Sequence, residues 1–148
     1  MTSTGAGGYA GDISATDAYE LLTKDRDALL VDVRTKPEWA FVGAPDLSSI
    51  DKEPIFIEWQ EYPSMRVALD FVARLEEAIG KNGGNASTPV LFLCRSGARS
   101  KAAAIAMSAA GQQHCVNIAG GFEGAPDDQR RRGSVDGWKA AGLPWTQS

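Results

Sequence analysis

The chain has 148 residues, 43% of them hydrophobic and 23% charged, with a formal net charge of −4. That is one domain's length of ordinary globular composition, and its acidic balance excludes a nucleic-acid binder that works through whole-molecule charge. No stretch approaches the roughly 20 apolar residues of a membrane-spanning helix, and the two cysteines, Cys94 and Cys115, make no disulfide framework.

Residues 1–11 are dominated by Gly, Ser, Thr and Ala, a composition that predicts a flexible tail. They lack the charged start and apolar run of a signal peptide, so the expected compartment is the cytoplasm. Residues 12–146 read as a single domain. Asp12 and Ile13 make a minimal edge strand. Ser14 with Asp17, or Thr16 with Glu20, can cap a helix that runs to about Lys24, with Ala18, Leu21 and Leu22 on one face. Residues 28–33, A-L-L-V-D-V, form a buried strand that ends in Asp32, Val33 and Arg34. Pro37 suits the first turn of a short helix over 37–41. Residues 46–54 are a polar loop and 55–59 a third strand.

Residues 65–79 repeat apolar positions at helical spacing, through Val67, Leu69, Phe71, Val72, Leu75, Ala78 and Ile79. The pattern predicts a long amphipathic helix whose apolar set is core. Val90 to Leu93 is a continuous apolar run, the mark of a strand buried on both faces. The Ala-rich segment 101–110 reads as a helix, because Ala is the best helix former, and Gly111 stops it. A fifth strand covers 114–119. Gly120 and Gly121 follow it and suit positive φ and close backbone approach. His114, the single histidine, reads as a strand-end residue, and Cys115 as a buried strand residue. The loop over 123–137 carries Arg130, Arg131 and Arg132 as solvated surface. A short helix from Trp138, followed by Trp145, closes the domain. Strands and helices alternate, which gives an α/β class with a mainly parallel sheet and helices on both faces.

Cys94 stands where the strand 90–93 turns into a helix, the crevice in which open α/β sheets place ligands. Arg95, Ser96, Gly97, Ala98, Arg99 and Ser100 follow it. A helix N-terminus and neighbouring arginines both favour the thiolate form of a cysteine. Small side chains at 96–98 let successive N–H groups turn inward as a nest, an anion site strengthened by the helix dipole. A thiolate ringed by donors is an activated nucleophile aimed at an anionic substrate. Cys115 and His114 match no zinc-site spacing.

C-R-S-G-A-R-S closing a parallel strand resembles the active loop of the rhodanese (thiosulfate sulfurtransferase) family. D-V-R at 32–34, followed by Glu38 and Trp39, resembles a second signature, and Gly120-Gly121 resembles the turn after the family's last strand. Where the family usually continues with a G-H-I-x-G-A stretch, the chain reads Ala40-Phe41-Val42-Gly43-Ala44-Pro45, without the His. The resemblance implies five strands in the order 1-5-4-2-3. It implies a loop from Cys94 to Arg99 that cradles a persulfide on Cys94, with Asp32 and Arg34 helping to position that loop. The reaction it implies is a double displacement. Cys94 takes the outer sulfur of thiosulfate or a related anionic donor, sulfite leaves, and a thiol, cyanide or protein acceptor takes the sulfur, with no metal or organic cofactor. Arg95 and Arg99 would attract the dianion. Two alternatives stay open: a persulfide relay served by a protein donor, and a phosphatase or arsenate reductase. The latter enzymes use a longer loop, C-x-x-x-x-x-R, usually with His before the cysteine. Here four residues separate Cys94 from Arg99 and Leu93 precedes it, which favours sulfur transfer.

Overall fold

The computed structural model describes residues 8–147. Five strands form one parallel sheet: β1 (Gly11–Ile13), β2 (Leu29–Asp32), β3 (Ile55–Phe56), β4 (Pro89–Leu93) and β5 (His114–Ile118). Their spatial order is β1-β5-β4-β2-β3, which is the expected α/β arrangement. The helices are α1 (Ala15–Lys24), α2 (Phe71–Lys81), α3 (Ala98–Ala109) and α4 (Gly137–Ala140). Ser14 caps α1 as its sequence position suggests: Asp17 N–H donates to Ser14 Oγ at 3.0 Å.

The sheet separates two apolar cores. Phe71, Leu75 and Ile79 of α2 and Ala103, Ala104 and Met107 of α3 pack on one face. Ala15, Ala18 and Leu22 of α1, with Trp138 of α4, pack on the other. Side chains along a strand alternate between faces. In β4 that period assigns Val90 and Phe92 to the α2/α3 side and Leu91 and Leu93 to the α1/α4 side. Cys94, next in the count, therefore turns toward the start of α3.

Four expectations are corrected. The helix expected over 65–79 begins only at Phe71. Met65 adopts positive φ (59°), and its N–H donates to Glu61 O at 2.7 Å, closing a hairpin between Gln60–Glu61 and Arg66–Val67. Ala68 N–H then bonds Trp59 O at 2.9 Å. These backbone bonds hold 65–68 out of the helix, so Val67 is exposed and Leu69 fully so. Helical spacing survives where α2 meets the sheet, at Phe71, Leu75 and Ile79. At the N-terminus, residues 1–7 of the expected tail lie outside the described residues, but the fold takes in Tyr9 to Gly11. Tyr9 is buried, Ala10 N–H bonds Cys115 O at 2.8 Å, and Gly11 pairs with Val116. Finally, the helix after Cys94 starts at Ala98 rather than Lys101. The short helix near 37 is a wide π-type turn, Glu38–Val42, with Pro37 just before it.

Candidate active site

β4 ends at Leu93 and α3 starts at Ala98, so Cys94 to Gly97 make the bend between them. Gly97 adopts φ +116°, a left-handed conformation that glycine takes without strain. The turn after β5 clamps this bend from behind. Phe122 N–H donates to Cys94 O at 2.7 Å, and the N–H groups of Glu123 and Gly124 donate to Arg95 O at 2.9 and 3.1 Å. Gly121 makes the approach possible: a Cβ there would run into Cys94 O and sit 2.6 Å from Arg95 C. The close backbone approach expected of the glycine pair is thus realised against the cysteine loop itself.

The Cys94 side chain is buried. Gly97 N–H donates to Sγ at 3.1 Å, and Ser100 Oγ lies 3.1 Å from Sγ. Ser100 reaches down from the first turn of α3 and is fully buried. Its hydroxyl also faces Asn117 Oδ1 at 2.5 Å and Gly97 O at 3.2 Å. The amide of Asn117 is fixed in turn, because its Nδ2 donates to Asp12 Oδ1 at 3.0 Å and Gly97 O at 3.2 Å. Asp12 also accepts from Tyr9 OH at 2.9 Å. A hydrogen-bonded chain thus runs from β1 through β5 to the sulfur. Of the ring of donors expected from 95–99, Gly97 N–H is the backbone group that meets Sγ. The first N–H groups of α3 have no intrahelical acceptor, as at any helix start, and so present donors at this end of the sheet.

The two loop arginines differ. Arg95 is exposed. Arg99 is half-buried and paired with Glu38, Nη1 to Oε1 at 2.7 Å and Nη2 to Oε2 at 3.0 Å. Glu38 Oε1 also accepts from Thr35 N–H at 3.1 Å and Thr35 Oγ1 at 2.9 Å. Burial works against the charge of Glu38, but the bonds from Arg99 and Thr35 outweigh it and hold the carboxyl below its ordinary value. Burial likewise opposes the Arg99 charge, yet Glu38 first, then Cys94 and Asp32, hold its pKa above the ordinary value. Glu38 lies 61 residues from Arg99 in the chain, and spacing alone did not reveal the pairing.

Asp32 and Arg34 are both fully buried at the end of β2. Arg34 grips the Asp32 carboxylate through Nε at 3.0 Å to Oδ1 and Nη2 at 2.7 Å to Oδ2. Nη2 also donates to Gly43 O at 2.8 Å. The guanidinium lies 4.2 Å from the centre of the Phe122 ring, and Phe122 is the residue whose N–H holds Cys94 O. Asp32 stands level with Leu93 in the sheet register. The pair is therefore one step from Cys94 and underlies its loop.

A cleft of about 360 Å3 opens on Cys94, between the loop and the hairpin, and is lined by Gln60, Met65 and Ala98 as well as Glu38 and the loop arginines. Met65 was hidden from sequence reasoning because 65–70 carries a helical pattern, and Gln60 because 60–64 reads as a loop with no tie to Cys94. Cys115 and His114 lie at the other end of the sheet, level with Val90 and Pro89. Cys115 is buried, and desolvation pushes its thiol up to about 11. In the arginine run, Arg130 and Arg131 are exposed and Arg132 Nη1 donates to Gly124 O at 2.6 Å. Among the described residues, no cluster of His, Cys, Asp and Glu could hold a metal ion, and no helix is long and apolar enough to cross a membrane.

Comparison with known proteins places the chain among relatives. A family model described as the STR4 middle domain matches residues 10–148. An uncharacterized protein of Rickettsia conorii is 37% identical over 134 residues, covering 90% of this chain and 95% of that protein. An uncharacterized protein of Rickettsia prowazekii is 38% identical over the same shares. Among solved structures, Rv0390 from M. tuberculosis is 42% identical, with a TM-score of 0.83, over 95% of this chain and 99% of that one. The polysulfide-sulfur transferase of Wolinella succinogenes shares 23% identity and a TM-score of 0.58 over 99% and 83%. A rhodanese-like domain protein from Staphylococcus aureus shares 21% and a TM-score of 0.50 over 75% and 86%. The chain therefore belongs to the family of the STR4 middle domain and has a rhodanese-like fold.

Proposed function

We propose that the protein is a sulfurtransferase that moves a sulfane sulfur from thiosulfate or a related small anionic donor to a thiophilic acceptor through a persulfide on Cys94. The observation that carries this reading is the position of Cys94 Sγ: at the carboxyl end of a central parallel strand, bonded by Gly97 N–H and facing the Ser100 hydroxyl. Donors at those positions stabilise a thiolate, and the helix start adds its positive end. The thiolate attacks the outer sulfur of the donor, the donor's S–S bond breaks, and the leaving group takes the electron pair. The first N–H groups of α3 then face the outer sulfur of the Cys94 persulfide. Arg95 meets the donor from the exposed side of the loop. Asp32 and Arg34 act as positioning residues beneath it, through Phe122. The family's rhodanese-like neighbours, one of them named a polysulfide-sulfur transferase, support the same chemistry. A phosphatase reading is disfavoured, because Arg99, which would have to grip a phosphate, already holds Glu38 at 2.7 and 3.0 Å.

Intact-mass measurement after incubation with thiosulfate tests the proposal. One added sulfur is expected, removable by cyanide, absent in Cys94→Ser and retained in Cys115→Ser. An adduct that maps to Cys115 would refute the assignment.

A further inference from the structure

The mouth over Cys94 is not built as a trap for a compact dianion. Arg99 is already neutralised, since Glu38 takes both of its terminal nitrogens. Thr35 anchors Glu38 through two further hydrogen bonds, so the carboxylate stays at the cleft. One carboxylate against two guanidiniums leaves a single net positive charge on the side chains around Cys94, and the attacking thiolate offsets it.

Shape adds to charge. Cys94 is only 1% exposed, so a donor must deliver its sulfane sulfur at a slender tip. In thiosulfate the three-oxygen head follows about 2 Å behind that sulfur, one S–S bond length, which brings its charge into the throat beside Glu38. In a thiol persulfide, R–S–SH, the atoms behind the tip are a second sulfur and methylene carbons. These suit the thioether of Met65 and the methyl of Ala98, which line the cleft. The cleft, about 360 Å3, also falls in the range of roughly 300–1,000 Å3 typical of small organic ligands.

We infer that the preferred donor is the persulfide of a low-molecular-weight organic thiol, and that Glu38 sets this preference over thiosulfate by neutralising Arg99. The inference rests on the sulfur-transfer reading and narrows its substrate class. In the step, the Cys94 thiolate attacks the terminal sulfur of R–S–SH. The Sγ–S bond forms, the donor S–S bond breaks, and R–S− leaves with the electron pair and takes a proton from water. Cys94 is left as its persulfide. The exchange needs no outside oxidant or reductant, because one sulfane sulfur is made for each one consumed.

The test is single-turnover loading of Cys94, followed by intact mass, with glutathione persulfide and with thiosulfate at equal concentration. Wild type should load at least tenfold faster from glutathione persulfide. Glu38→Gln, which frees Arg99, should raise thiosulfate loading several-fold while changing persulfide loading less. Met65→Lys puts a cation on the exposed turn without touching the ion pair, should shift the donor ratio the same way, and decides the matter if Glu38→Gln does not fold. Equal or faster wild-type loading from thiosulfate overturns the inference and leaves sulfur transfer standing, as does a donor ratio unmoved in the folded variant. Loading from neither small donor overturns the inference, and loading from no sulfane-sulfur donor at all, a protein-bound persulfide included, overturns sulfur transfer itself. Loading only from a protein-bound persulfide overturns the assignment to a low-molecular-weight donor.

Discussion

Ser100 has one hydroxyl proton and three acceptors around it: Cys94 Sγ, Gly97 O and Asn117 Oδ1. With the Asn117 amide held by Asp12 and Gly97, its oxygen is the end that must face Ser100. The hydroxyl can therefore give its proton to Asn117 while Cys94 is a thiol and to Sγ once the thiolate forms. A hydrogen bond to a charged group contributes about 1.5–3 kcal/mol, and each ~1.4 kcal/mol is tenfold in rate. Ser100→Ala should thus slow persulfide formation about tenfold to a hundredfold, and Ser100→Thr should recover most of the loss. An unchanged loading rate in Ser100→Ala would show that Gly97 N–H alone suffices. Burial raises Cys115 to about 11, and the thiolate is the form that reacts. Iodoacetamide on the folded protein should therefore alkylate Cys94 and leave Cys115 unmodified at pH 8. Peptide mapping checks this, and equal labelling of the two would contradict the burial argument.

At the scale of elements, the Arg99–Glu38 pair ties the start of α3 to the π-type turn after β2, with Thr35 as the third member. Glu38 is depressed from its ordinary value of 4.5, so the sign of its linkage follows. Its contribution to stability is fully present above about 4.5 and is lost as pH falls through the lower folded value. Glu38→Gln should be less stable than wild type in urea at pH 7, and the gap should close at an acid pH below the lowered folded value, where the wild-type carboxyl is also protonated. A gap of equal size at both pH values would mean that the carboxylate charge contributes nothing to holding the two elements together. The hairpin before α2 shows a different principle. Val67 sits at helical spacing from Phe71, and Leu69 from Val72, but the backbone bonds of Met65 and Ala68 override that pattern. Apolar spacing describes a face that a segment could present, and burial against the sheet begins only at Phe71.

For the whole molecule, the two cores meet through a thin sheet whose crossing point carries the cysteine. Trp138 is the largest fully buried side chain, packed with the α1 side of the sheet and donating from Nε1 to Pro144 O at 2.7 Å. It lies in the core opposite to the one that Cys94 faces. Truncating a buried Trp costs about 3–5 kcal/mol, a large part of the roughly 5–15 kcal/mol that holds a domain together. Trp138→Ala should lower the unfolding free energy by about 3–5 kcal/mol, read as an earlier denaturation midpoint. A midpoint within experimental error of wild type would show that the α1/α4 core does not depend on this residue.

What the sequence by itself determined is the part of the molecule that is contiguous. The apolar run of β4, Cys94, the small residues through Gly97 and the Ala-rich α3 are neighbours in the chain. Their order alone places a cysteine at a strand-to-helix bend, and the alternation of elements specifies the parallel sheet around it. The D-V-R and G-G signatures pointed to residues that do converge on the loop, Arg34 under Phe122 and Gly121 against Cys94 O. The tertiary structure alone decided which charges remain free. Glu38 meets Arg99 across 61 residues, Asn117 meets Ser100 across 17, and Met65 reaches the cleft from a hairpin that reads as helix. Such pairings join segments through folding and leave no period in the local pattern. The place of the proposed nucleophile was therefore legible in one dimension, while the proposed selection of its donor depends on contacts made only when the chain closes on itself.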